Sequence, residues 1–444
     1  MMSRGHPGAS GYRLGETMKR MVSIVMRVVV AAAAILLISG VYFLYLMHKD
    51  PNPSRPQAID ARNGYVQAHG TNLYDGNGKI LQLKGVNLGG WFIQEFWMGI
   101  NSVGQYDTGL YTQVRAAAAM KENPNLTEEQ IRELDALYLD NYIREEDFRI
   151  ISELGMNTVR IPFTCYNVTE DGYKLREDAF GKLDWAVDMC TKYGLYAVID
   201  LHGAVGSQNM DIHSGDDAQY ALYGNKKNEE STIALWKTIA SHYRGNKTVA
   251  AYDLLNEPRR APGKFGGKVN FDFFDRLYKA VREEDPDHLI LIECFSFPVN
   301  GAKLSGYDWE NICIEYHIYN LTEFSQKTCL NFYRALHNLM GYNKPVLVGE
   351  WNAFEKESEW KDSFEWFDEQ GWSFMSWCYK ANAYAYIDLY HNYSDWGLFD
   401  LRIVPVDLST ATFEEIAEIY GKIGTEHAEK TAVYGYWEKY LEKN

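Results

Sequence analysis

Short apolar runs alternate with longer segments of helical period along the chain from about residue 61 onward. Segments such as residues 142–154 repeat apolar residues at steps of three and four, as one face of an amphipathic helix does. The runs are apolar throughout, which is typical of strands in a parallel sheet covered on both sides. The eight runs span residues 81–90, 157–163, 195–203, 249–258, 288–295, 311–319, 345–351 and 372–379. Eight β–α units in series predict an α/β fold, a (β/α)8 TIM barrel.

The first 60 residues have a different pattern. Residues 28–47, VVVAAAAILLISGVYFLYLM, contain no charge over 20 positions, enough for one helical crossing of a bilayer. Five basic residues and one acid precede this segment, which predicts a cytoplasmic N-terminus under the positive-inside rule. We therefore expect a cytoplasmic tail (1–27), a transmembrane signal-anchor (28–47), a linker (48–60) and an extracellular barrel domain (61–444). Secretion after signal cleavage is the alternative, although no small-x-small cleavage site follows the segment.

The segment GTNLYDGNGKILQL (70–83) predicts a small β-hairpin ahead of the first barrel strand. Asn77-Gly78 suits a tight turn between apolar flanks. We expect this hairpin to cover the bottom of the barrel.

Polar residues stand where the apolar runs end. In chain order they are Arg160, His202, Asn256, Glu257, His317, Tyr319, Glu350 and Trp377. The carboxyl ends of barrel strands open into one shared mouth, where active sites lie. Glu257 and Glu350 are 93 residues apart, or three β–α units of roughly 31 residues. This spacing predicts Glu257 after strand four and Glu350 after strand seven, across the same mouth.

Two carboxylates facing each other across a polar pocket indicate cleavage of a glycosidic bond. One must be a protonated acid for the leaving oxygen, and the other must be ionised. Arg160 would keep Glu350 ionised through its fixed positive charge, and Tyr319 could donate a hydrogen bond to the same carboxylate. Asn256 lies beside the acid in sequence and could bond a sugar 2-hydroxyl.

Composition narrows the class of ligand. The net charge is −16 and no Lys/Arg cluster occurs beyond the N-terminus, so nucleic acid is not expected as a partner. Twelve Trp and 32 Tyr allow either core packing or stacking against sugar rings. Six cysteines without CxxC spacing argue against a zinc knuckle or a dense disulfide framework.

Seven strand-end segments resemble family five of the glycoside hydrolases, the cellulase-like retaining β-glycosidases. They are LKGVNLGGW, VRIPF, DLHGAVGSQN, LLNEP, EYHIY, VGEW and FMSWCYK, within residues 65–405. Within that family, these segments are most similar to those of the exo-β-1,3-glucanase branch. The resemblance implies no metal or organic cofactor, Glu257 as acid/base and Glu350 as nucleophile. It also implies supporting roles for Arg160, His202, Asn256, His317, Tyr319 and Trp377.

The substrate that the resemblance implies is a neutral β-glucan or related β-glucoside, cleaved by double displacement through a covalent glycosyl-enzyme. Trp91 and Trp351 follow strand tips and are candidates for sugar-binding subsites. A membrane-tethered transglycosylase shares the intermediate and stays open as an alternative. A non-catalytic carbohydrate-binding barrel would have lost a carboxylate or Arg160, and both are present. A metal-dependent hydrolase is disfavoured because His-x-His spacing at a strand end is missing.

Overall fold

The computed structural model divides the chain into two compact units, Met1–Asp50 and Pro51–Asn444. It describes residues 37–47, 49, 56–60, 63–103, 112–259, 269–294, 301–320, 324–354, 356–383 and 396–443. In the first unit, residues 37–47 are helical. The predicted tail (1–27), the first part of the predicted anchor (28–36) and most of the linker lie outside the described residues. Within the described ranges, no helix combines the length and hydropathy that a bilayer crossing needs.

Eight parallel strands close into a barrel in the second unit, as the eight apolar runs predict. The barrel strands are β4 (Lys84–Asn87), β6 (Thr158–Thr164), β7 (Tyr196–Gly203), β8 (Val249–Asp253), β9 (Leu289–Glu293), β10 (Ile312–Tyr319), β11 (Val346–Asn352) and β12 (Ser373–Ser376). Neighbours in this order are hydrogen-bonded, and β12 pairs with β4 to complete the closure. The prediction of a TIM-type barrel is confirmed.

Helices cover the outside of the barrel. They are α1 (Gln113–Glu122), α2 (Glu128–Tyr142), α3 (Glu145–Glu153), α4 (Cys165–Val168), α5 (Gly181–Tyr193), α6 (Lys226–Tyr243), α7 (Phe271–Glu284), α8 (Gln326–Met340), α9 (Glu357–Gln370), α10 (Phe413–Tyr420) and α11 (Ala432–Leu441). Local sequence fixes their ends. Thr127 and Gln130 form a capping box that starts α2, and Gly194 ends α5 in the left-handed conformation.

A small antiparallel sheet closes the amino end of the barrel. It contains β1 (Gln67–His69), β2 (Asn72–Tyr74) and β3 (Ile80–Leu81), so the predicted hairpin gains a third strand. Leu73 from this sheet packs in one apolar cluster with residues of the barrel interior, such as Leu289 and Leu347. The backbone N–H of Ala68 donates to Asn311 Oδ1, 2.8 Å away, which ties the sheet to the start of β10. The predicted position at the bottom of the barrel is confirmed.

The remaining short strands lie outside the barrel. They are β5 (Asn101–Ser102), β13 (Lys380–Asn382), β14 (Phe399–Leu401), β15 (Val406–Asp407) and β16 (Glu429–Lys430). In the C-terminal extension, Trp437 of α11 packs against Phe364 and Phe374. All six cysteines, which the structure describes, are free thiols, and all but Cys329 are buried.

Inward-facing positions on the barrel strands change from apolar to charged toward the carboxyl end. Because side chains alternate along a strand, every second residue faces the interior. Three strands repeat the same order: Val198–Asp200–His202 on β7, Leu289–Leu291–Glu293 on β9 and Cys313–Glu315–His317 on β10. The apolar members of these triplets belong to the same apolar cluster as Leu73 and Leu347 at the amino end of the barrel, called the bottom cluster below. The charged members bring the site together at the opposite end.

Candidate active site

The structure brings the eight predicted strand-tip residues together at the carboxyl end of the barrel. Their elements are β6 (Arg160), β7 (His202), the segment after β8 (Asn256, Glu257), β10 (His317, Tyr319), β11 (Glu350) and the residue after β12 (Trp377). In barrel order β8 is the fourth strand and β11 is the seventh. The placement of Glu257 and Glu350 that the spacing predicts is therefore confirmed.

His317 lies between the two carboxyl groups. Its Nδ1 is 2.8 Å from Glu257 Oε1 and 3.5 Å from Glu350 Oε2. One polar atom from each of the three side chains lies within 4.8 Å of the other two. Burial lowers the pKa of His317 to about 4, so the imidazole is neutral at neutral pH. The carboxyl groups are thus bridged by a neutral ring rather than by a cation.

Glu350 is held by two hydrogen-bond donors. The Tyr319 hydroxyl donates to Oε2 at 2.8 Å, and Arg160 Nη1 donates to Oε1 at 3.1 Å. Burial raises the pKa of Glu350, while His317, Arg160 and the Tyr319 hydrogen bond act in the opposite direction. Both contacts are those predicted from the sequence, and both oppose the effect of burial on the pKa of Glu350.

Glu257 has a different environment. Its carboxyl contacts His317 through Oε1 and His213 through Oε2, the latter at 3.1 Å. Its backbone adopts a φ of 43°, which is uncommon for a residue with a side chain, and its N–H donates to the Glu293 carboxylate. Burial is the main cause that raises the pKa of Glu257, which favours the protonated acid. Two carboxyl groups with different partners can hold different protonation states at one pH.

Arg160 is fully buried and joins several strands. Its guanidinium donates to Asp253 at 2.7 Å, to the Asn256 Oδ1 at 2.9 Å and to the Asn87 Oδ1 at 3.0 Å. Asp200 lies 3.0 Å away as an ion-pair partner. A buried guanidinium with five donors needs such a set of acceptors to offset its loss of hydration.

His202 and Trp377 form one wall of the site. Their rings stack with centroids 5.5 Å apart and planes 19° apart. The Nδ1 of His202 lies 2.7 Å from Asp200 Oδ2, and burial holds the pKa of His202 well below its ordinary value. The contact with Asp200 fixes the orientation of the His202 ring.

The expectation that Trp91 and Trp351 bind sugar is wrong, because both indoles are 0% exposed. Glu350 points into the barrel, so Trp351 points outward and packs 4.5 Å from the Trp360 ring. Trp91 lies beneath α2, where its indole N–H donates to the Leu139 carbonyl at 2.9 Å. Another pair lies against Tyr319: Trp97 and Trp396 have ring centroids 4.6 Å apart, and Trp396 lies 5.8 Å from the Tyr319 ring.

Sequence reasoning missed a layer of buried acids beneath the mouth. Its members are Asp200, Asp253, Glu293 and Glu315, all 0% exposed. Burial raises the pKa of Asp200, Glu293 and Glu315 well above the usual carboxyl range. The signal that could have found Asp200, Glu293 and Glu315 is period two, since each lies on the inward face of its strand with the residues of the bottom cluster. Asn87 and Glu95 were also missed.

Glu257, His317 and Glu350 lie close enough together to raise the question of a cation. Arg160 already places a fixed positive charge 3.1 Å from Glu350, and His317 Nδ1 is engaged with Glu257. A second cation would be repelled by that guanidinium. The arrangement suits proton transfer and nucleophilic attack better than metal binding.

Comparison with known proteins agrees with this geometry. The profile of Cellulase (glycosyl hydrolase family 5) matches residues 120–383. A beta-xylosidase of Phanerodontia chrysosporium is 31% identical over 265 residues, which cover 59% of this chain and 53% of that protein. The chain thus spans about half the length of this relative. A probable glucan 1,3-beta-glucosidase A of Emericella nidulans is 28% identical over 286 residues, which cover 61% of this chain and 67% of that protein.

Among solved structures, the rutinosidase from Aspergillus niger superimposes with a TM-score of 0.51. The two share 17% sequence identity over 68% of this chain and 90% of the rutinosidase, which demonstrates a common fold. The profile match covers more than half of the chain. The chain therefore belongs to glycosyl hydrolase family 5.

Proposed function

We propose that this chain hydrolyses a β-glucan or related β-glucoside with retention of configuration, through a covalent glycosyl-enzyme. The observation that carries the proposal is the approach of Glu257 and Glu350: one carboxyl oxygen of Glu257 lies within 4.8 Å of one carboxyl oxygen of Glu350. Retaining glycosidases hold their carboxyl groups about 5 Å apart, whereas inverting ones need about 6.5–9.5 Å to admit a water. The separation supports direct attack by one carboxylate on the sugar.

Glu350 is the nucleophile in this proposal. Arg160 and Tyr319 hold its two oxygens at 3.1 and 2.8 Å and stabilise the anion. Glu257 is the acid/base, because its carboxyl group contacts the two histidines His213 and His317, whereas Glu350 accepts from Arg160 and Tyr319. These different environments match the two roles that the reaction requires.

The reaction proceeds in two balanced steps. In the first, a Glu350 oxygen bonds to the sugar C1 as the C1–O bond to the leaving group breaks, and Glu257 gives its proton to the departing oxygen. In the second, a water attacks C1 and the C1–Glu350 ester bond breaks. Glu257 takes the proton from that water and returns to its acid form.

Asn256 is positioned to bind the sugar 2-hydroxyl. Its Oδ1 accepts from Arg160 Nη2 at 2.9 Å, so its Nδ2 is the group that remains to donate to a hydroxyl. A hydrogen bond to the 2-hydroxyl strengthens in the oxocarbenium-like transition state. Asn256 would then lower the barrier of both steps.

The choice of β-glucoside rests on two supports. The net charge of −16 favours a neutral substrate over an acidic one. The named relatives are a beta-xylosidase and a glucan 1,3-beta-glucosidase, which both carry β-glycosidase names. Glucose is therefore the first sugar to test and xylose the second.

The test is sugar release by the purified chain from β-1,3-glucan, β-1,4-glucan, mannan, aryl β-glucosides and aryl β-xylosides. Glu350→Ala should reduce turnover by roughly 10⁴-fold or more, as expected for loss of a covalent nucleophile. Glu257→Ala should lose turnover of phenyl glycosides but retain 2,4-dinitrophenyl glycosides in the first step, since that leaving group needs no proton. Glu365→Ala, on the exposed face of α9, is the matched control.

Three results would contradict parts of this proposal. Near-wild-type turnover by Glu350→Ala would reject the nucleophile. An equal loss on both leaving groups in Glu257→Ala would reject the acid role. Transfer of sugar to a second sugar in preference to water would replace hydrolysis by transglycosylation.

A further inference from the structure

The loop between β7 and α6 places a second histidine on Glu257. His213 lies in a short 3-10 turn, Ile212–Ser214, and its Nε2 is 3.1 Å from Glu257 Oε2. The turn is held in place by the Ser207 hydroxyl, 2.7 Å from the Ser214 hydroxyl. A Cβ at Gly203 would lie 2.2 Å from the Ser214 carbonyl oxygen, so the close approach of the loop to β7 requires glycine.

Asn209 determines which ring nitrogen of His213 carries the proton. Its Oδ1 accepts from the Asp211 backbone N–H at 2.8 Å, and its Nδ2 donates to the Glu257 carbonyl at 3.1 Å. These two contacts fix the orientation of the amide. A flipped amide would place Nδ2 against the Asp211 N–H, which is also a donor, and Oδ1 against the Glu257 carbonyl, which is also an acceptor. Nδ2 then also faces His213 Nε2 at 2.7 Å. A donor at that distance requires Nε2 to be a bare acceptor, so His213 is the neutral Nδ1–H tautomer.

The one lone pair of a bare Nε2 is then shared between the Asn209 Nδ2–H at 2.7 Å and Glu257 Oε2 at 3.1 Å. The contact with Glu257 is attractive only when Oε2 carries the proton, since an ionised oxygen would face the lone pair. Oε1 is already opposite His317 Nδ1 at 2.8 Å and can accept from it. The two oxygens of the carboxyl group are thus distinguished, one as acceptor and one as proton donor.

We propose that Asn209 and His213 are positioning residues that hold the acid proton of Glu257 on Oε2, through the neutral Nδ1–H tautomer of His213. The inference rests on the proposed acid role of Glu257. A hydrogen bond from the neutral carboxyl group disfavours ionisation, whereas a protonated His213 would favour it. His213 is faced by Asp211, 4.0 Å from its Nε2, and by the ring of His202 at 6.0 Å, and Asp211 is paired with Arg259 at 2.5 Å. The other titratable or charged groups that act on Glu257 are His317, Glu293, Glu350, Arg160 and Glu95.

The first test is the pH dependence of kcat/KM for phenyl glycosides in the full chain carrying His213→Phe. The phenyl ring keeps the volume and removes the acceptor, so the basic limb should move to lower pH by about 0.5–1 unit. Turnover of phenyl glycosides above that limb should fall by up to about tenfold, while 2,4-dinitrophenyl glycosides should be unchanged in the first step. His242→Phe, on α6 with its ring 4.5 Å from Phe180, is the matched control and should shift nothing.

Asn209→Ala supplies a second test. Without the amide donor, His213 is free to place a proton on Nε2 and donate it to Glu257, so the basic limb should again move to lower pH. In the His213→Phe background the same change should add no further shift. Thermal unfolding of each variant checks that the fold is kept.

A third readout does not depend on activity. In the full chain labelled with ¹⁵N-histidine, the His213 resonances, assigned by their loss in His213→Phe, should show a protonated Nδ1 and a bare Nε2 at neutral pH. An imidazolium or an Nε2–H tautomer, or a basic limb in His213→Phe that is unmoved or moves to higher pH, would overturn the inference. If Glu257→Gln fails to distinguish the two leaving groups, the acid role itself is wrong, which is a separate outcome.

Discussion

The amino end of the barrel interior is lined by apolar side chains, whereas the carboxyl end of the same strands holds charged and polar ones. On β9, Leu289 and Leu291 belong to the bottom cluster, and Glu293 is the next inward residue. On β10, Cys313 is followed by Glu315 and His317 in the same way. The bottom buries apolar surface, which stabilises the fold at about 25 cal/mol per Å².

The top of the barrel is costly for stability. Arg160 is surrounded by the carboxyl groups of Asp200, Asp253, Glu315 and Glu350 within 3.6 Å, all of them buried. Removing such groups from water costs several kcal/mol per ion before their mutual attraction is counted. The comparison indicates that the bottom of the barrel stabilises the fold, while the top uses part of that stability to hold groups for chemistry.

Arg160→Met should have the largest effect on stability and activity, because it removes the cation at the centre of the charged end of the barrel. The carboxylates that surround Arg160 would lose their common cation, so we expect a loss of about 3–5 kcal/mol in the free energy of unfolding. Activity should fall as well, since Glu350 loses a donor. Urea unfolding and kcat measure the two effects. Arg149→Met, whose partners Glu146 and Glu153 are exposed on α3, should change the stability by less than about 1 kcal/mol.

Leu291→Ala tests the bottom of the barrel alone. Leu291 is fully buried in the bottom cluster, and a cavity there should cost about 2–5 kcal/mol. The kcat below the unfolding temperature should stay at the wild-type value. Leu339→Ala, 51% exposed, is the control for stability. A kcat that falls together with the melting temperature would show that packing at the amino end of the barrel also affects the catalytic groups at the carboxyl end.

Gly349→Ala should disturb the boundary between the two ends. A Cβ at Gly349 would lie 1.7 Å from Glu315 Oε1, which is buried between Arg160 and His317. Overpacking of this kind costs about 1–3 kcal/mol and should also reduce kcat by moving Glu350. Gly181→Ala, which meets nothing within 4 Å, should be close to neutral. In a double-mutant cycle with Glu315→Ala, the pair should destabilise by less than the sum of the single changes.

Glu95→Gln should have the smallest effect at pH 5, where the wild-type side chain is protonated, and a defined pH dependence above it. Burial, together with repulsion from Glu350 and Glu257, raises the pKa of Glu95 from 4.5 to about 8. The native state therefore keeps a proton that the unfolded chain releases, and wild-type stability falls as pH rises through this window. Glutamine cannot titrate, so the variant should gain at least about 1 kcal/mol relative to wild type between pH 5 and pH 8. A difference in the free energy of unfolding between variant and wild type that stays constant with pH would reject the raised pKa of Glu95. Glu365→Gln is the exposed control.

Most of the barrel could be predicted because its signals are periodic. Each apolar run became a strand, and the spacing of Glu257 and Glu350 gave their positions in the barrel order. Tip residues such as Arg160 and His317 interrupt an apolar pattern and are therefore visible in the sequence. The family's strand-end segments carry the same information.

Other features could not be predicted because they depend on contacts across the fold. Trp351 looked available to a sugar, but the alternation that points Glu350 inward points it into the helix layer. Glu315 stands within a run whose overall pattern is apolar. His213 comes from a loop whose position depends on hydrogen bonds such as Ser207 to Ser214, which no local pattern indicates.

The most direct test of the account is to trap the covalent intermediate. The chain is incubated with a 2,4-dinitrophenyl 2-deoxy-2-fluoro-β-glycoside of the sugar that it turns over, and the adduct is located by peptide mass spectrometry. The fluorine slows both steps and the leaving group drives the first, so the glycosyl-enzyme should accumulate. The account predicts one added sugar on Glu350 and none in Glu350→Ala. An adduct on Glu257, or turnover with inversion of the product anomer and no adduct, would contradict it.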